Sequence, residues 1–578
     1  MGVVGTPRTL RVRVLVVALV LGGCFAGVAV RLVSLMVIQH EELARRAERQ
    51  HQKIVSLQAR RGSIYDRHGR ELAVSIETDS LYAVPARIEN PRAVAARLAP
   101  VLGLNRSWLY RRLDNKRGFV WIQRKLDPER VHRVQALGLG HRVIGFLPEH
   151  RRFYPKRELA AHVLGFAGTD NVGLEGLERQ YDRFLRGESG WVVTERDALG
   201  RTVFPEGLNY RAPSPGASLV LTLDETVQYM AERALDRVMA ETRAKSSVAI
   251  VMDPYTGEIL AMAVRPRFNP NAFQRHRPGE WRNRAITDAF EPGSTLKVFV
   301  AAAALEEGLV HPRERLDCST GRIEVGGKAI RDTHPHGVLT FTEVLQKSSN
   351  VGAVIVGLRL GPERMYRYLK AFGFGDKTGI DLPGEVSGTL RRPERWSALS
   401  IGALSIGQEI SVTPLQLITA FSAIANGGVL MRPYVVREIR DLEGRVVQRF
   451  GPQRVRRVIS QATARRMTRI LMTVVAPEGT GHRAALEDLK VAGKTGTAQK
   501  VDPATGRYSD TRSVSSFAGY VPAEDPRVAI LVMVDEPQGE AWGGSVAAPV
   551  FREIAEQVLT YLNVPPEDSE RTLIVARQ

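Results

Sequence analysis

The longest apolar run in the chain lies near its N-terminus, from Val14 to Val30, and apolar residues continue from Leu32 to Ile38. A run of this length approaches the roughly 20 residues that a helix needs to cross a bilayer. Three arginines occur among the first 13 residues, and positive charge favours the cytoplasmic side of a membrane. The pattern therefore predicts a membrane anchor that leaves the rest of the chain outside the cytoplasm. A cleaved signal peptide is the alternative, because Leu21 to Cys24 loosely resembles a lipoprotein cleavage site.

Beyond the anchor, short amphipathic segments alternate with turn residues. The charged stretch from Glu41 to Val55 has a helical pattern and is predicted to be a stalk. Arg61 to Ala73 reads as strand, tight turn and strand, and Asp197 to Arg201 as a hairpin turn. Turn-forming residues cluster at Ala212 to Gly216, where we place a domain boundary.

The C-terminal part begins and ends with strand patterns and has a helical middle. Such an order predicts an α+β fold in which helices cover an antiparallel sheet built from segments distant in sequence. The predicted strands are Leu219 to Leu223, Val248 to Met252, Ile259 to Val264, Ser515 to Val521 and Arg527 to Asp535, and the predicted helices include Glu225 to Arg243, Gln416 to Asn426 and Ala547 to Tyr561.

These patterns divide the chain into six predicted regions. They are a cytoplasmic tail (1–13), a transmembrane anchor (14–38), a stalk (39–55), a first folded domain (56–212), a second folded domain (216–563) and a C-terminal tail (564–578).

Composition and charge narrow the class of protein. The chain has 578 residues, 44% of them hydrophobic, and a net charge of +19. Clustered cations suggest nucleic-acid binding, but the predicted export excludes nucleic acid. We therefore expect the arginines to face anionic lipid or acidic wall polymer. Cys24 lies in the anchor and Cys318 beyond it, so we expect no disulfide within the chain.

The strongest chemical signal is Glu291-Pro292-Gly293-Ser294-Thr295-Leu296-Lys297, which precedes an apolar run. A Pro-Gly turn that opens a helix places Ser294 near unpaired backbone N–H groups, and Lys297 returns to the same face three residues later. A buried lysine can accept the proton of such a serine. This is the only Ser-x-x-Lys in the chain.

Two further motifs add polar groups that suit this serine. Ser348-Ser349-Asn350 is the only Ser-x-Asn, and it follows an amphipathic segment. Lys-Thr-Gly occurs twice: Lys377-Thr378-Gly379 lies between turn residues, whereas Lys494-Thr495-Gly496-Thr497 continues an extended run. A strand edge with small residues can take a peptide as an added strand, so we select the second copy.

In the order Ser-x-x-Lys, Ser-x-Asn, Lys-Thr-Gly, the motifs resemble those of the penicillin-recognising serine acyltransferases. With Arg61 to Ala73, Gly173 to Asp182 and the anchor, they resemble the class B penicillin-binding proteins, and the Ser294 and Gln408 segments resemble the cell-division (FtsI-like) branch. The resemblance implies an elongated α+β pedestal or dimerisation domain, then a serine transpeptidase domain with an antiparallel sheet, flanking helices and an all-helical subdomain.

The resemblance also implies roles for the motif residues in peptidoglycan D,D-transpeptidation and in acylation by β-lactams. Ser294 is the expected nucleophile, Lys297 its base and Ser348 a proton relay to the leaving amine. Asn350, Lys494, Thr495, Gly496 and Thr497 are expected to bind substrate, and the backbone N–H groups of Ser294 and Thr497 to form the oxyanion hole. The implied protein partners are an FtsW-type glycosyltransferase and other cell-division proteins.

Three alternatives stay open. An elongation-type class B transpeptidase shares the same motifs. A β-lactam hydrolase needs a residue to position water, and no Glu-x-x-Leu-Asn pattern is present. A non-catalytic division scaffold requires only that the motifs be vestigial. No cofactor and no metal are expected, because His334 and His336 beside Asp332 lack a definite third ligand.

Overall fold

The computed structural model describes residues 7–43, 52–115, 119–140, 143–196, 202–203, 210–502 and 504–566. The chain divides into two compact units: unit 1 comprises 1–59, 78–149 and 188–214, and unit 2 comprises 60–77, 150–187 and 215–578. The predicted turn from Asp197 to Arg201 and most of the C-terminal tail lie outside the described residues. The six domain limits given above stay predictions.

The N-terminal apolar run forms one long helix, Pro7–Val33, which continues as a π-helical segment, Ser34–Ile38. Residues Leu10–Ile38 are long and apolar enough to cross a membrane. Their large apolar side chains are exposed along the whole length, as lipid contact requires. The structure therefore supports the predicted single-pass anchor.

Unit 1 contains a small helical layer with its own core. Asn90, Asn105 and Asp127 each cap a helix by accepting a backbone N–H bond at its first turn. Leu81, Leu98, Leu109 and Ile122 belong to the core that these helices enclose. The helices of unit 1 are Pro91–Leu102, Arg106–Leu113 and Pro128–Gln135, and its strands include Gln52–Leu57, Val120–Leu126, Gly190–Arg196, Thr202–Val203 and Tyr210–Arg211.

The prediction of a helix through Val55 is wrong for its last residues. Gln52–Leu57 is a strand that pairs antiparallel with Gly190–Arg196. The β-branched residues Ile54 and Val55 favour an extended backbone, and a partner strand far along the chain supplies the hydrogen bonds. The helical charge pattern could not reveal this partner.

Unit 2 contains a central five-stranded antiparallel sheet. Its strand order is Ile259–Arg265, Ser246–Met252, Val528–Asp535, Tyr508–Val521 and Ala492–Val501. The Lys494 strand (Ala492–Val501) is thus at the edge. Apolar clusters lie on both faces of the sheet, as continuous burial of its central strands requires. The predicted sheet of sequence-distant segments is confirmed for four of the five predicted strands. The fifth, Leu219 to Leu223, pairs instead in the second sheet region described below.

Helices cover this sheet and build a helical region beside it. The predicted helix from Glu225 is present as Glu225–Thr242 and is capped by Asp224. The Lys297 helix (Lys297–Glu306) is buried on nearly all sides. The other main helices of unit 2 are Phe341–Gln346, Asn350–Leu360, Pro362–Ala371, Ser400–Ser405, Pro414–Ala425, Gln461–Val475 and Gly543–Tyr561.

A second sheet region includes the two strands predicted from Arg61 to Ala73. Its strands pair in the order Val446–Arg449, Val436–Arg440, Ser218–Leu221, Ile64–Tyr65 and Glu71–Ala83, with Ile64 opposite Ala73. Shorter strand pairs are Val429–Met431 with Arg454–Arg457, Arg315–Asp317 with Val338–Thr340, and Arg322–Val325 with Lys328–Arg331.

A buried ionic network holds Arg61 in unit 2. Arg61 is 1% exposed; its Nε lies 2.5 Å from Oε2 of Glu178, and its Nη1 lies 2.6 Å from Oδ1 of Asp182. Arg152 contacts the other oxygen of Glu178 at 2.5 Å. These cations hold the pKa of Glu178 below its usual range despite burial, which by itself raises it.

Candidate active site

Ser294 lies in a 3₁₀ turn, Gly293–Thr295, directly before the Lys297 helix. The regular helix begins at Lys297, later than the sequence predicts. Gly293 has φ of +55°, and its N–H donates to the carbonyl oxygen of Gly407 at 3.1 Å. A Cβ on Gly407 would lie 2.0 Å from the carbonyl oxygen of Gly293. The two backbones therefore approach too closely for a side chain, which fixes the turn that carries the serine.

The Lys494 strand packs against the other side of this turn. A Cβ on Gly496 would lie 2.9 Å from Cγ2 of Thr295 and 3.0 Å from the carbonyl oxygen of Pro292. A Cβ on Gly293 would lie 3.0 Å from the carbonyl oxygen of Thr497. The glycines thus bring the Ser294 turn and the Lys494-Thr495-Gly496-Thr497 segment into direct backbone contact.

Lys297 is 1% exposed and binds the Ser348 to Asn350 motif. Its Nζ lies 2.7 Å from the carbonyl oxygen of Ser348, 2.7 Å from Oδ1 of Asn350 and 3.4 Å from Oγ of Ser348. Burial lowers the pKa of Lys297 to about 7, and the carboxylate of Asp332 acts in the opposite direction. A substantial fraction of this amine is therefore neutral near neutral pH.

Ser348 joins the two lysines of the site. Nζ of Lys494 donates to Oγ of Ser348 at 3.0 Å and to the carbonyl oxygen of Thr495 at 3.1 Å. Burial, and then the charge of Lys297, hold the pKa of Lys494 well below its usual value. Ser348 itself has φ of +60°, which is unusual for a residue with a side chain. A strained serine thus lies between two buried amines.

The Lys494 strand has a free edge beside these groups. Among the described strands it pairs only with Tyr508–Val521. Oγ1 of Thr495 lies 2.9 Å from Oγ1 of Thr480, and Oγ1 of Thr497 accepts the N–H of Gly543 at 3.0 Å. These contacts orient both threonines on a strand that can accept an added peptide strand.

The structure brings together most of the predicted site residues. Direct hydrogen bonds connect Lys297, Ser348, Asn350, Lys494 and Thr495. Ser294 is placed beside them by the packing of its turn. Within the described part of the chain, no side-chain hydrogen bond joins Ser294 to Lys297, an arrangement that often tightens only when substrate binds.

The first Lys-Thr-Gly copy, at residues 377–379, binds a carboxylate of the same chain. The N–H and hydroxyl of Thr378 donate to Oε1 of Glu385 at 2.7 and 2.5 Å, and the N–H of Gly379 donates to Oε2 at 3.1 Å. This loop already binds a carboxylate from its own chain. The choice of the second copy stays a prediction, which this contact favours.

Sequence reasoning missed two acidic contacts at the site. Oε1 of Glu291 accepts the N–H of Glu409 at 3.0 Å, and the hydroxyl of Tyr508 donates to both oxygens of Glu291. Asp332 accepts bonds from Ser349, Asn350 and Val351. Nothing in the sequence around Glu291 or Asp332 predicts these contacts. Asp332 drew attention only as a possible metal ligand beside His334 and His336.

The His334 to His336 segment shows no metal-binding geometry in the described ranges. No group of three or more His, Cys, Asp or Glu side chains that could hold a metal ion occurs among those residues. Asp332, the acidic member of the sequence cluster, instead bonds to the Ser349 motif.

Two protein families match this chain. Residues 247–556 match the penicillin-binding protein transpeptidase domain, and residues 56–221 match the penicillin-binding protein dimerisation domain. Stage V sporulation protein D of Bacillus subtilis is 38% identical over 570 residues, covering 97% of this chain and 88% of the relative. Peptidoglycan D,D-transpeptidase FtsI of Escherichia coli is 34% identical over 545 residues, covering 93% and 90%.

A solved structure shows the same fold. Penicillin-binding protein 3 of Mycobacterium tuberculosis, in complex with aztreonam, matches with a TM-score of 0.69 at 31% identity, covering 89% of this chain and 98% of that one. The chain therefore belongs to the class B penicillin-binding proteins, in which a dimerisation domain precedes a penicillin-binding transpeptidase domain.

Proposed function

We propose that the protein is a peptidoglycan D,D-transpeptidase that cross-links stem peptides through a Ser294 acyl-enzyme and is acylated there by β-lactams. The observation that carries the proposal is the hydrogen-bonded chain Lys297, Ser348, Lys494 beside the Ser294 turn. The names of its relatives, which include a D,D-transpeptidase and a protein crystallised with aztreonam, support it.

Lys297 is suited to activate Ser294 as a neutral amine. A neutral amine has two N–H groups and one lone pair. Its two shortest contacts, to the carbonyl oxygen of Ser348 and Oδ1 of Asn350, use both N–H groups. The lone pair is then left to take the proton of Ser294 as its Oγ attacks the carbonyl carbon of the penultimate D-alanine.

Negative charge then develops on the carbonyl oxygen of the substrate. The backbone N–H groups of Ser294 and Thr497 are the proposed donors, since their two segments are in contact. Loss of one oxyanion donor typically costs about 3 kcal/mol of transition-state stabilisation. As the peptide C–N bond breaks, the leaving amine takes a proton from Oγ of Ser348, which protonated Lys297 restores.

The rest of the substrate would lie along the Lys494 strand. Asn350 would hold a substrate amide, and Lys494, Thr495 and Thr497 would bind the terminal carboxylate. The arriving negative charge raises the pKa of Lys494 again, because an opposite charge favours the ammonium form. An amine of a neighbouring stem peptide then attacks the ester, releases Ser294 and forms the cross-link.

A fluorescent penicillin tests the nucleophile. The wild-type protein should form a stable covalent adduct, located at Ser294 by mass spectrometry, and Ser294→Ala should form none. Labelling of Ser294→Ala at another residue would overturn the assignment. Rapid turnover of the penicillin would favour a hydrolase, and normal division in cells that carry only Ser294→Ala would favour a scaffold.

For the cellular role, we propose septal wall synthesis with an FtsW-type glycosyltransferase and other division proteins as partners. The N-terminus would lie in the cytoplasm and both folded domains outside, because the basic residues precede the anchor. Depletion should produce filaments, whereas rounded cells would indicate an elongation role. A reporter active only outside the cytoplasm, fused after residue 566, should be active.

A further inference from the structure

Asp332 makes a set of contacts that the proposed chemistry does not yet use. Its Oδ2 accepts the hydroxyl of Ser349 at 2.9 Å. Its Oδ1 accepts the N–H of Val351 at 3.1 Å and also a short bond from the N–H of Asn350. Three donors of the Ser348 to Asn350 motif and of the following helix therefore converge on this one carboxylate.

These bonds act on the residues that flank the strained Ser348. The helix Asn350–Leu360 begins directly after Ser349, whose hydroxyl also accepts the N–H of Gly352 at 3.0 Å. A carboxylate at the first turn of a helix binds its free N–H groups and favours the positive end of its dipole. Because Ser349 and Asn350 are fixed, Ser348 is held at its φ of +60° between them and the preceding helix.

We propose that Asp332 is a positioning residue for the acylation reaction: it holds Ser348 and Asn350 in contact with Lys297 and supplies a negative charge that acts on that amine. This inference rests on the proposed function. It adds a residue that touches neither Ser294 nor, in the structure, Lys297 directly, but acts through the motif.

Two charged groups act on the pKa of Lys297. Lys494 faces Lys297 through Ser348, and Asp332 is the acidic group whose charge opposes the effect of burial on the pKa of Lys297. Burial, and to a smaller extent the same carboxylate, raise the pKa of Cys318. Removing the charge of Asp332 should therefore leave Lys297 neutral at lower pH.

Three substitutions separate geometry from charge. Asp332→Asn has nearly the same shape, so its carbonyl oxygen still accepts the two backbone N–H groups, but the charge is lost. Asp332→Glu retains the charge and displaces it by one methylene group. Asp332→Ala removes both. Asp317→Asn is the matched control, because Asp317 is an exposed carboxylate at the end of a nearby strand and, among the described residues, accepts hydrogen bonds only from Ser319.

The readout is the rate of Ser294 acylation by a fluorescent penicillin, measured between pH 5.5 and 9 on full-length protein in detergent. Asp332→Ala should lower the rate about 100-fold, the usual effect of misplacing reacting groups by about 1 Å. Asp332→Asn should keep most of the high-pH rate, with its acid limb moved to lower pH. Asp332→Glu should be slower than wild type with the acid limb unmoved, and Asp317→Asn should match wild type.

Two results would overturn the inference. The first is an Asp332→Ala protein that folds, as judged by its thermal unfolding, and acylates at the wild-type rate. The second is an Asp332→Asn protein whose acid limb coincides with that of wild type. Either result leaves the proposed function intact if wild type still labels at Ser294, whereas labelling of Ser294→Ala rejects the proposed function itself.

Discussion

The sharpest consequence of the site is that acylation of Ser294 should depend on the ionisation of Lys297. Only the neutral amine can accept the proton of Ser294, and burial places the pKa of Lys297 at about 7. The acylation rate should therefore rise with pH through about 7 and level off above it. At pH 6, one unit below, about a tenth of the amine is neutral, so the rate should be about a tenth of its plateau.

The same burial should appear in the stability of the protein. An unfolded lysine has a pKa of about 10.4, so between pH 7 and pH 10 the unfolded state binds more protons than the folded state. Stability therefore increases with pH in this window, and below pH 7 it no longer depends on Lys297 ionisation, because both states are then protonated. From pH 7 to pH 9 this lysine alone should add about 2 kcal/mol to the free energy of unfolding.

Lys297→Met tests both effects, and Lys347→Met is its control. Lys347 neighbours Ser348 but bonds to the carbonyl oxygen of Glu478 at the surface. Lys297→Met should abolish penicillin labelling at every pH. In urea unfolding it should reduce the rise in stability between pH 7 and 9 by about 2 kcal/mol, while the part of the rise that comes from Lys494 remains. Lys347→Met should change neither. A wild-type acylation rate that stays flat from pH 5.5 to 8.5 would refute the assignment of Lys297 as the base.

Three further predictions concern geometry. Ser348→Gly should raise thermal stability, because it relieves the strain of about 1 to 3 kcal/mol at the φ of +60°, but it should slow acylation strongly in stopped-flow labelling. Unchanged stability would argue against strain at Ser348. Gly407→Ala should block the approach to Gly293 and reduce labelling at least about 100-fold, and an active, folded variant would contradict the close contact. Arg61→Met should lower the free energy of unfolding by about 3 to 5 kcal/mol in urea titrations, because the buried carboxylate of Glu178 loses one of its partners. A double variant that also carries Glu178→Gln should recover part of that loss.

Much of the site could be predicted from the sequence because its motifs are local. The Ser294 turn, the Ser348 motif and the edge strand each occupy a few consecutive residues whose types fit one backbone conformation. The two copies of Lys-Thr-Gly could be separated by their neighbours, since extended residues precede Lys494 and turn residues surround Lys377. The structure agrees, with Glu385 bound to the first copy.

What the sequence could not show are contacts between distant segments. Arg61 and Glu178 are 117 residues apart, and Asp332 lies 17 residues before Ser349 on the far side of a short strand and a helix. The predicted helical stretch wrongly includes residues 52–55 of the strand Gln52–Leu57, because the partner strand, Gly190–Arg196, is far along the chain. In each case the local pattern is compatible with several partners, and only tertiary packing selects one.

The site also shows why activity and stability should oppose each other here. Lys297 and Lys494 are both buried with pKa values below those of free lysine, and Ser348 is held in a conformation that favours glycine. Each feature destabilises the folded state, and each is what the proposed chemistry needs: a neutral base, a cation site that charges when a carboxylate arrives, and a hydroxyl directed at both amines. The apolar Lys297 helix, whose residues from Lys297 to Leu305 are all buried, stabilises the fold enough to hold this arrangement. Substitutions that remove the strain or the buried charge should therefore yield more stable and less active proteins, whereas substitutions in the helix core should reduce both together.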